Sequence, residues 1–483
     1  MIHAPTNSWW QHASTDTIRE KQGMLLHRFL KYRVLPFSKY YSQLFQENKL
    51  SADDFHSIED LAKLPFTSKS TLENPKDFVL IPDKSSLMRQ PASWWKLLRH
   101  GPSKLTQYFE QEFRPIHLTS TTGRSAQPVP FLYTKQDLAN LEAGGLRLMQ
   151  LSNTNSDAKI INAFPFAPHL AFWQAWYASL GNNCFVLHTG GGKVMGTHGN
   201  AQMLSKINAN GIIAMPTFMY HLLQHAIEEK MQWPQLNKIV LGGEKVPLGM
   251  RRKLRELCAK VGARHVDIVS TYGFTEAKLA FSECVTPEGH EPSGYHLYPD
   301  LAIVEVVDPE SGTPVPDREP GEIVFTPLNS RGTTVLRYRT GDLIEGGISH
   351  APCPHCGRTS PRLIGKISRV SDIKRLNINK VKGSLIDLNA LEHLLEDTQG
   401  VGAWQIELRK ENDDPLALDE VHIHLVSNTD DHAALSAEVT RTFRDQTEIT
   451  PNTIQFHSWQ EMLHLHGVGK ELKEIKIVDN RPS

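Results

Sequence analysis

Apolar positions recur along this chain with two different periods. After Thr17 the residues Ile18, Leu25, Leu26, Phe29 and Leu30 share one helical face, and Glu20 stands three residues on, the spacing of a capping box. That helix is expected to stop near Pro36. Through the middle, short apolar runs at Lys159–Ala163, Gly211–Ala214, Lys238–Leu241 and Val266–Val269 alternate with helical stretches such as Met219–Glu229 and Leu248–Val261. Such alternation predicts an α/β core with parallel strands. Past Asp300 the texture changes. Leu301–Val307 and Glu322–Thr326 flank the turn-rich SGTPVPDREPG, as in antiparallel structure. A polar, basic stretch from Lys366 to Lys382 follows, and beyond it lies a compact α+β pattern. Trp404, Ile406 and Leu408 alternate with polar residues, as do Val421, Ile423 and Leu425, while Leu435, Val439 and Phe443 are spaced as on a helix. We therefore expect a large N-terminal domain over residues 1–369 and a small C-terminal one over 370–483.

Composition narrows the function classes. The chain has 483 residues, 40% hydrophobic and 22% charged, which suits a soluble protein with a sizeable core. Lys plus Arg is 52 against 53 for Asp plus Glu, so no basic excess points to nucleic acid or to an anionic membrane. The start, MIHAPTNSWWQHASTDT, shows no basic region followed by an apolar one, and no apolar run approaches the roughly 20 residues of a membrane span. Five cysteines in a chain of this size argue for a reducing compartment, and the cytoplasm is expected.

The candidate chemistry begins at HLTSTTGRSAQPVPFLYT, His117 to Thr134. It is too polar for a core strand and reads as a loop. Alone, the run is explained by a solvated surface loop; the functional reading is that hydroxyls and backbone N–H groups cradle phosphate oxygens, with Gly123 allowing close approach and Arg124 supplying charge. STYGFTEA, Ser270 to Ala277, directly follows a predicted strand, as suits a ligand site at the carboxyl edge of a sheet. There Tyr272 could stack on a base, Thr275 bond a phosphate and Glu276 hold Mg²⁺. In RYRTGDL, Asp342 could accept from a ribose diol or be only a turn residue. GVGK, Gly467 to Lys470, gives a lysine a flexible approach, with a solvated charge as the bland reading.

With these segments in this order the chain resembles the adenylate-forming superfamily of acyl-CoA synthetases, luciferases and adenylation domains, and within it the phenylacetate–CoA ligase group. SIEDLAKLPFTSKSTL, GGEKVPLGMRRKLRE, the block from GYHLYPDLAIVEVVDPESG to GEIVFTPL, CPHCGRTSPRL and the hinge-like SRVSDIK extend the likeness over most of the chain. The resemblance implies a large N-terminal domain of α/β sheets plus a β-barrel-like subdomain, and a small mobile α+β lid. It implies a two-step reaction in which a carboxylate attacks the α-phosphate of ATP and a thiol then displaces AMP. It also implies roles. Thr119, Ser120, Thr121, Thr122, Gly123 and Arg124 hold the pyrophosphate end. Gly242, Gly243 and Glu244 border adenine; Tyr272, with Gly273 beside it, stacks on the base; Thr275 contacts the α-phosphate and Glu276 binds Mg²⁺. Asp342 grips the ribose with help from Arg369. Lys470 bridges the carboxylate and the α-phosphate, with Lys473 and Lys476 as rivals.

Cys353 and Cys356 form a C-x2-C pair that could share one tetrahedral metal. The resemblance adds Cys284 and His296 and makes the set a structural zinc site; His290, His350 and His355 could replace His296, and the alternative is a buried hydrophobic Cys284 beside an unmetallated pair. Phe164, Phe166, His169, Phe172 and Trp173 stand where the family lines its acyl site. They could equally be core; as pocket residues they would favour an aryl or other flat apolar acid. The sequence departs from the family at Ser120, at Arg124, in the Ser-Ala-Gln before Pro128 and in the hinge, where Ser368 and Ser371 replace the usual glycine and aspartate. The thiol is expected to be coenzyme A, while these departures keep open a carrier-protein phosphopantetheine arm as the alternative and a catalytically silent nucleotide-binding protein as the rival of another class. The expected partners are a small carboxylic acid and ATP, with a homodimer left open, and neither nucleic acid nor membrane.

Overall fold

The structure, a computed structural model, describes residues 8–83, 98–99, 101, 107, 109–121, 128–369, 380–381, 384–385, 394–410, 419–447, 450–468 and 474–480. Thr122, Gly123, Arg124, Ser371, Lys470 and Lys473 lie outside them. The chain forms two compact units. One comprises Met1–Val246 with Leu254–Ile367, the other Pro247–Lys253 with Ser368–Ser483. Among the described residues no helix is long and apolar enough to cross a membrane.

In the larger unit the first helix, α1, spans Thr15–Phe29. Its N-cap is Ser14, whose Oγ accepts from the Thr17 N–H at 3.2 Å. The capping box expected at Thr17 is thus displaced by an earlier hydroxyl with the same chemistry. Pro36 does not end the helical path at once. A π-helical turn at Leu30–Val34 and a short helix at Leu35–Phe37 carry it to Ser38, because a proline in the first turn of a new segment gives up an N–H that has no partner anyway.

The Thr/Ser run is not wholly a loop. His117–Ser120 forms β1 and pairs antiparallel with β2, Pro130–Tyr133. Three hydroxyl or imidazole side chains, His117, Thr119 and Ser120, are tolerated in β1 because the strand sits in a two-stranded hairpin, not in the main sheet.

The main sheet begins with parallel strands β3 (Lys159–Asn162), β4 (Phe185–His188), β5 (Gly211–Ala214), β6 (Lys238–Leu241) and β7 (Asp267–Phe274). It continues antiparallel through β8 (Leu279–Ser282) and β9 (Tyr295–His296). A second sheet is built from β10 (Ala302–Val307), β11 (Gly321–Pro327) and β12 (Tyr338–Ile344), paired antiparallel. The short strands β13 (Ile348–Ser349) and β14 (Arg362–Leu363) join the main sheet beyond β9. Strand β7 extends beyond Val269 because Ser270 still pairs with Leu241 of β6 and Thr271 to Phe274 pairs onward with β8. The Tyr-Gly-Phe of STYGFTEA is therefore strand, not the loop after one.

The topology fixes where ligands can reach. Strand β3 pairs with β4 on one side and β5 on the other. The chain thus reverses its winding between β3 and β5, and the crevice at the carboxyl ends of such strands is the usual ligand site of an open α/β sheet. Helices α2 (Lys135–Leu151) and α3 (Leu170–Gly181) pack in this region, and Gly145 makes their contact possible: a Cβ there would meet the Ala178 backbone at 2.6 Å.

The smaller unit holds β15 (Val401–Lys410) antiparallel to β16 (Asp419–Ser427), with β17 (Thr453–Phe456) and β18 (Ile477–Asp479) added in parallel at the two sides. Helix α4, His432–Thr447, carries Leu435, Val439 and Phe443 into the core formed by Ile406, Leu408, Val421, Ile423 and Leu425. The polar residues between the apolar ones of β15 are not solvated. Gln405 and Glu407 are both buried. Gln405 Nε2 donates to the carbonyls of Leu465 and Ile475 at 2.9 and 2.7 Å, so the second face of the sheet is covered as well.

Candidate active site

Several of the sequence-predicted residues in the larger unit follow the carboxyl ends of parallel strands. Phe164, Phe166 and His169 follow β3, Gly242 to Glu244 follow β6, and Thr275 and Glu276 follow β7. Gly242 is required by packing, since a Cβ would lie 2.4 Å from Thr271 Oγ1 and 3.4 Å from the Phe164 ring. Gly243 has φ +85°, a conformation that favours glycine. Glu244 has a visible structural task. Its carboxylate accepts from the N–H and hydroxyl of Thr217 at 3.2 and 2.7 Å, capping the helix Pro216–Glu228.

Side-chain hydrogen bonds tie the separate motifs together. Tyr272 OH donates to Asp342 Oδ2 at 2.8 Å, joining the proposed base and ribose residues across β7 and β12. Tyr338, which opens β12, donates from its hydroxyl to Glu276 Oε1 at 2.9 Å. Thr119 Oγ1 donates to Tyr133 OH at 3.1 Å. The Ser120 N–H donates to the Pro168 carbonyl at 2.6 Å, and His169 Nδ1 lies 3.2 Å from the Ser120 carbonyl oxygen. The hairpin with the Thr/Ser run is therefore fastened to the segment after β3.

The aromatic segment divides. Phe164 is buried beside Gly242, and Phe172 is core, with ring contacts to Phe166, Trp173, Trp176 and His188. Phe166 is 53% exposed and Trp173 is half-buried against His117. Burial lowers the pKa of both His117 and His188, keeping these imidazoles neutral.

Beneath the Thr-Glu turn lies a network that no motif announced. Lys278 Nζ bonds Asp137 Oδ1 and Ser330 Oγ, each at 3.1 Å, and sits 5.2 Å from the centre of the Tyr133 ring. Burial alone would raise the pKa of Asp137. Lys278 and the N–H groups of Thr134 and Gly332 outweigh it and hold the carboxyl below its usual range. Burial likewise pulls Lys278 down, against the pull of Asp137. A sequence signal existed, since Asp137 stands three residues after Thr134 in a capping box, but it gives no hint of the lysine.

The Cys/His set converges. The ligand atoms of Cys284, His296, Cys353 and Cys356 all lie within 4.8 Å of one another. Cys284 and Cys353 sulfurs are 3.6 Å apart, too far for a disulfide, and Cys356 Sγ is 3.6 Å from His296 Nε2. The other ring nitrogen, Nδ1, meets Ser360 Oγ at 2.8 Å, which orients the imidazole. Gly357, at φ +70°, donates to the Cys353 carbonyl and turns the knuckle. Among the rivals of His296, His350 pairs with Asp317 and His355 with the Glu291 carbonyl, so both face elsewhere.

In the smaller unit, Lys476 Nζ bonds Glu396 Oε1 at 2.8 Å and packs over the Trp404 ring. Arg369 is exposed at the end of a short strand, Ile367–Arg369.

A family model described as AMP-binding enzyme matches residues 133–332. A phenylacetate–coenzyme A ligase of Thermus thermophilus is 25% identical over 412 residues, covering 84% of this chain and 81% of that protein. The enzyme of the same name from Escherichia coli is 26% identical over 342 residues, 68% of each chain. A solved structure of 2-hydroxyisobutyryl-CoA ligase, in the postadenylation state with an acyl-AMP, superposes with TM-score 0.73 at 17% identity, covering 99% of this chain and 94% of the other, a likeness of fold. The matched region spans the Thr-Glu turn, the glycine pair and the Asp137 network, so the chain carries an AMP-binding domain and has phenylacetate–coenzyme A ligases among its sequence relatives.

Proposed function

We propose that this protein is an ATP-dependent acid–thiol ligase that activates a carboxylic acid as its acyl-adenylate and passes the acyl group to coenzyme A. One observation carries the reading. The motif segments are stitched to one another by hydrogen bonds, between side chains for Tyr272 to Asp342 and Tyr338 to Glu276, and through the Ser120 backbone to the Pro168–His169 segment. Segments scattered by chance resemblance would have no reason to share contacts.

In this reading, attack of the carboxylate on the α-phosphate puts charge on the nonbridging oxygens and on the departing pyrophosphate, which calls for preorganised donors and cations. Thr119 to Arg124 offer hydroxyls, N–H groups and a guanidinium to the pyrophosphate. Tyr272 and the Gly242–Gly243 backbone border the base, and Asp342 accepts from the ribose hydroxyls. Glu276 offers hard carboxylate oxygen to Mg²⁺, whose part is to neutralise phosphate charge. Lys470 supplies a compact ammonium to the carboxylate and α-phosphate. Lys476 is the weaker rival, because its charge is engaged by Glu396 and Trp404.

The acid is read as aryl or otherwise flat and apolar. The names of the relatives and the aromatic segment Phe164–Trp173 support this, with Phe166 and Trp173 as the residues available to a ligand and Phe172 reassigned to the core. The Cys284, His296, Cys353 and Cys356 set fits zinc. A Zn–S bond of about 2.3 Å gives tetrahedral ligand separations of about 3.8 Å, close to the 3.6 Å separations found here. With all four positions supplied by the protein, its task is structural.

A carboxylic-acid panel read by pyrophosphate release tests the reading. Release that depends on an aryl acid, followed by AMP displacement on adding coenzyme A, is the expected result. Nucleotide binding without release for any acid would sink it in favour of a silent nucleotide-binding protein. Displacement only by a phosphopantetheinylated carrier would move the acceptor to a carrier protein.

A further inference from the structure

Two disfavoured choices coincide at Lys278. Its backbone lies in the left-handed region at φ +56°, where glycine or asparagine is the usual residue, and its ammonium is buried. Replacing a buried ion pair with apolar groups is often neutral or stabilising, so stability alone does not account for the lysine. Nor is Lys278 the sole partner of Asp137. The carboxylate already accepts from the Thr134 N–H and hydroxyl at 2.9 and 3.0 Å, the Ser330 hydroxyl at 2.8 Å, and the Arg331 and Gly332 N–H groups at 3.2 and 2.7 Å.

What distinguishes the position is its neighbours. The Lys278 N–H closes the turn Thr275–Ala277 by donating to the Thr275 carbonyl at 3.1 Å. Its Nζ anchors that turn to Asp137 and Ser330, at the head of the segment that runs on to Tyr338. Tyr338 in turn holds the Glu276 carboxylate through its hydroxyl. The Tyr133 ring lies between Lys278 and Thr119, so the same anchor braces the phosphate-facing strand β1.

We infer that Lys278 and Tyr338 are positioning residues that clamp the Thr275–Ala277 turn at two points and so fix the Glu276 carboxylate for a divalent cation. The inference rests on the reading of Glu276 as the Mg²⁺ ligand, and the test separates the two.

Mn²⁺ stands in for Mg²⁺. Its binding to the full-length protein, in the presence of a non-hydrolysable ATP analogue, is read by electron paramagnetic resonance well below the melting temperature of each variant. Lys278→Gln keeps a donor near Asp137 while losing the charge and reach; Tyr338→Phe removes only the hydroxyl; Glu276→Gln removes the ligand itself. Both positioning variants are expected to weaken Mn²⁺ roughly 10-fold, the lower end of what orienting groups around a metal ligand contribute. Unchanged Mn²⁺ affinity in both, with Glu276→Gln losing it, overturns the inference and leaves the magnesium reading standing. Unchanged affinity in Glu276→Gln overturns both. If Lys278→Gln does not fold, Tyr338→Phe decides by the same criterion.

Discussion

The cysteine–histidine set and those residues of the proposed nucleotide site that lie in the larger unit are organised in opposite ways. The first brings four ligand atoms within 4.8 Å of one another, the arrangement proposed above for zinc. The second spreads its side chains over β1, β7, β12 and the loops after β3 and β6, and many of them already have partners within the fold. A metal site must be built by convergence because the ion has no shape of its own to recognise. A nucleotide site can be built by distribution, since the ligand is long and each part needs only one or two groups, held in place beforehand. Disruption should therefore differ in kind: loss of stability at the first, loss of affinity or rate at the second.

The largest effect is expected from Lys470→Ala. If its ammonium meets charge that develops only as the adenylate forms, pyrophosphate release falls on the order of 10²–10³-fold while the melting temperature stays put. A rate within threefold of the parent would remove Lys470 from the role and turn attention to Lys473. Next in size is Cys353→Ser. It opens one corner of the convergent set, so zinc content by elemental analysis should fall from about one per chain and stability should drop by about 3 kcal/mol or more. Loss of activity without loss of stability would contradict a structural site. Smaller still is Asp342→Asn. Tyr272 keeps an acceptor, so the fold survives, while the ribose loses a charge-assisted partner; the KM for ATP should rise roughly 10-fold with kcat less affected.

The fold was legible where periodicity was strong. The runs at 159–163, 211–214 and 238–241 are strands of a parallel sheet, and Leu435, Val439 and Phe443 do form one apolar helix face. What the pattern left open has one cause, which is that pairing partners are invisible in a single segment. Tyr272 and Phe274 extend β7 because β8 is there to bond them, and Gln405 and Glu407 are buried because other elements cover that face. Of the candidate site, the C-x2-C pair was legible from its spacing, the resemblance supplied Cys284 and His296, and the structure brings the four ligand atoms together. Lys278, Tyr338 and Ser360 were not, because each acts through a neighbour distant in sequence, and no spacing rule encodes that.

The smallest effect tests a third way of using a polar group, holding it neutral in apolar surroundings. His188 is stacked on Trp176 with ring centres 4.3 Å apart, and its Nδ1 accepts from Asn162 Nδ2 at 3.0 Å. Burial depresses its pKa and that of His117 below the ordinary 6.5. In the window between the depressed values and 6.5 the unfolded chain binds more protons than the folded one, so stability rises with pH there. The contribution is fully present above about pH 6.5 and drains away as the pH falls through the folded values. Thermal melts between pH 7.5 and 5 should show a modest fall in melting temperature on the acid side. His188→Phe preserves the stacking and removes one titrating group, so its acid limb should be shallower than the parent's. An equally steep limb would mean that His188 charges as readily in the fold as in water, and that the aromatic segment beside β3 is wetter than its packing implies.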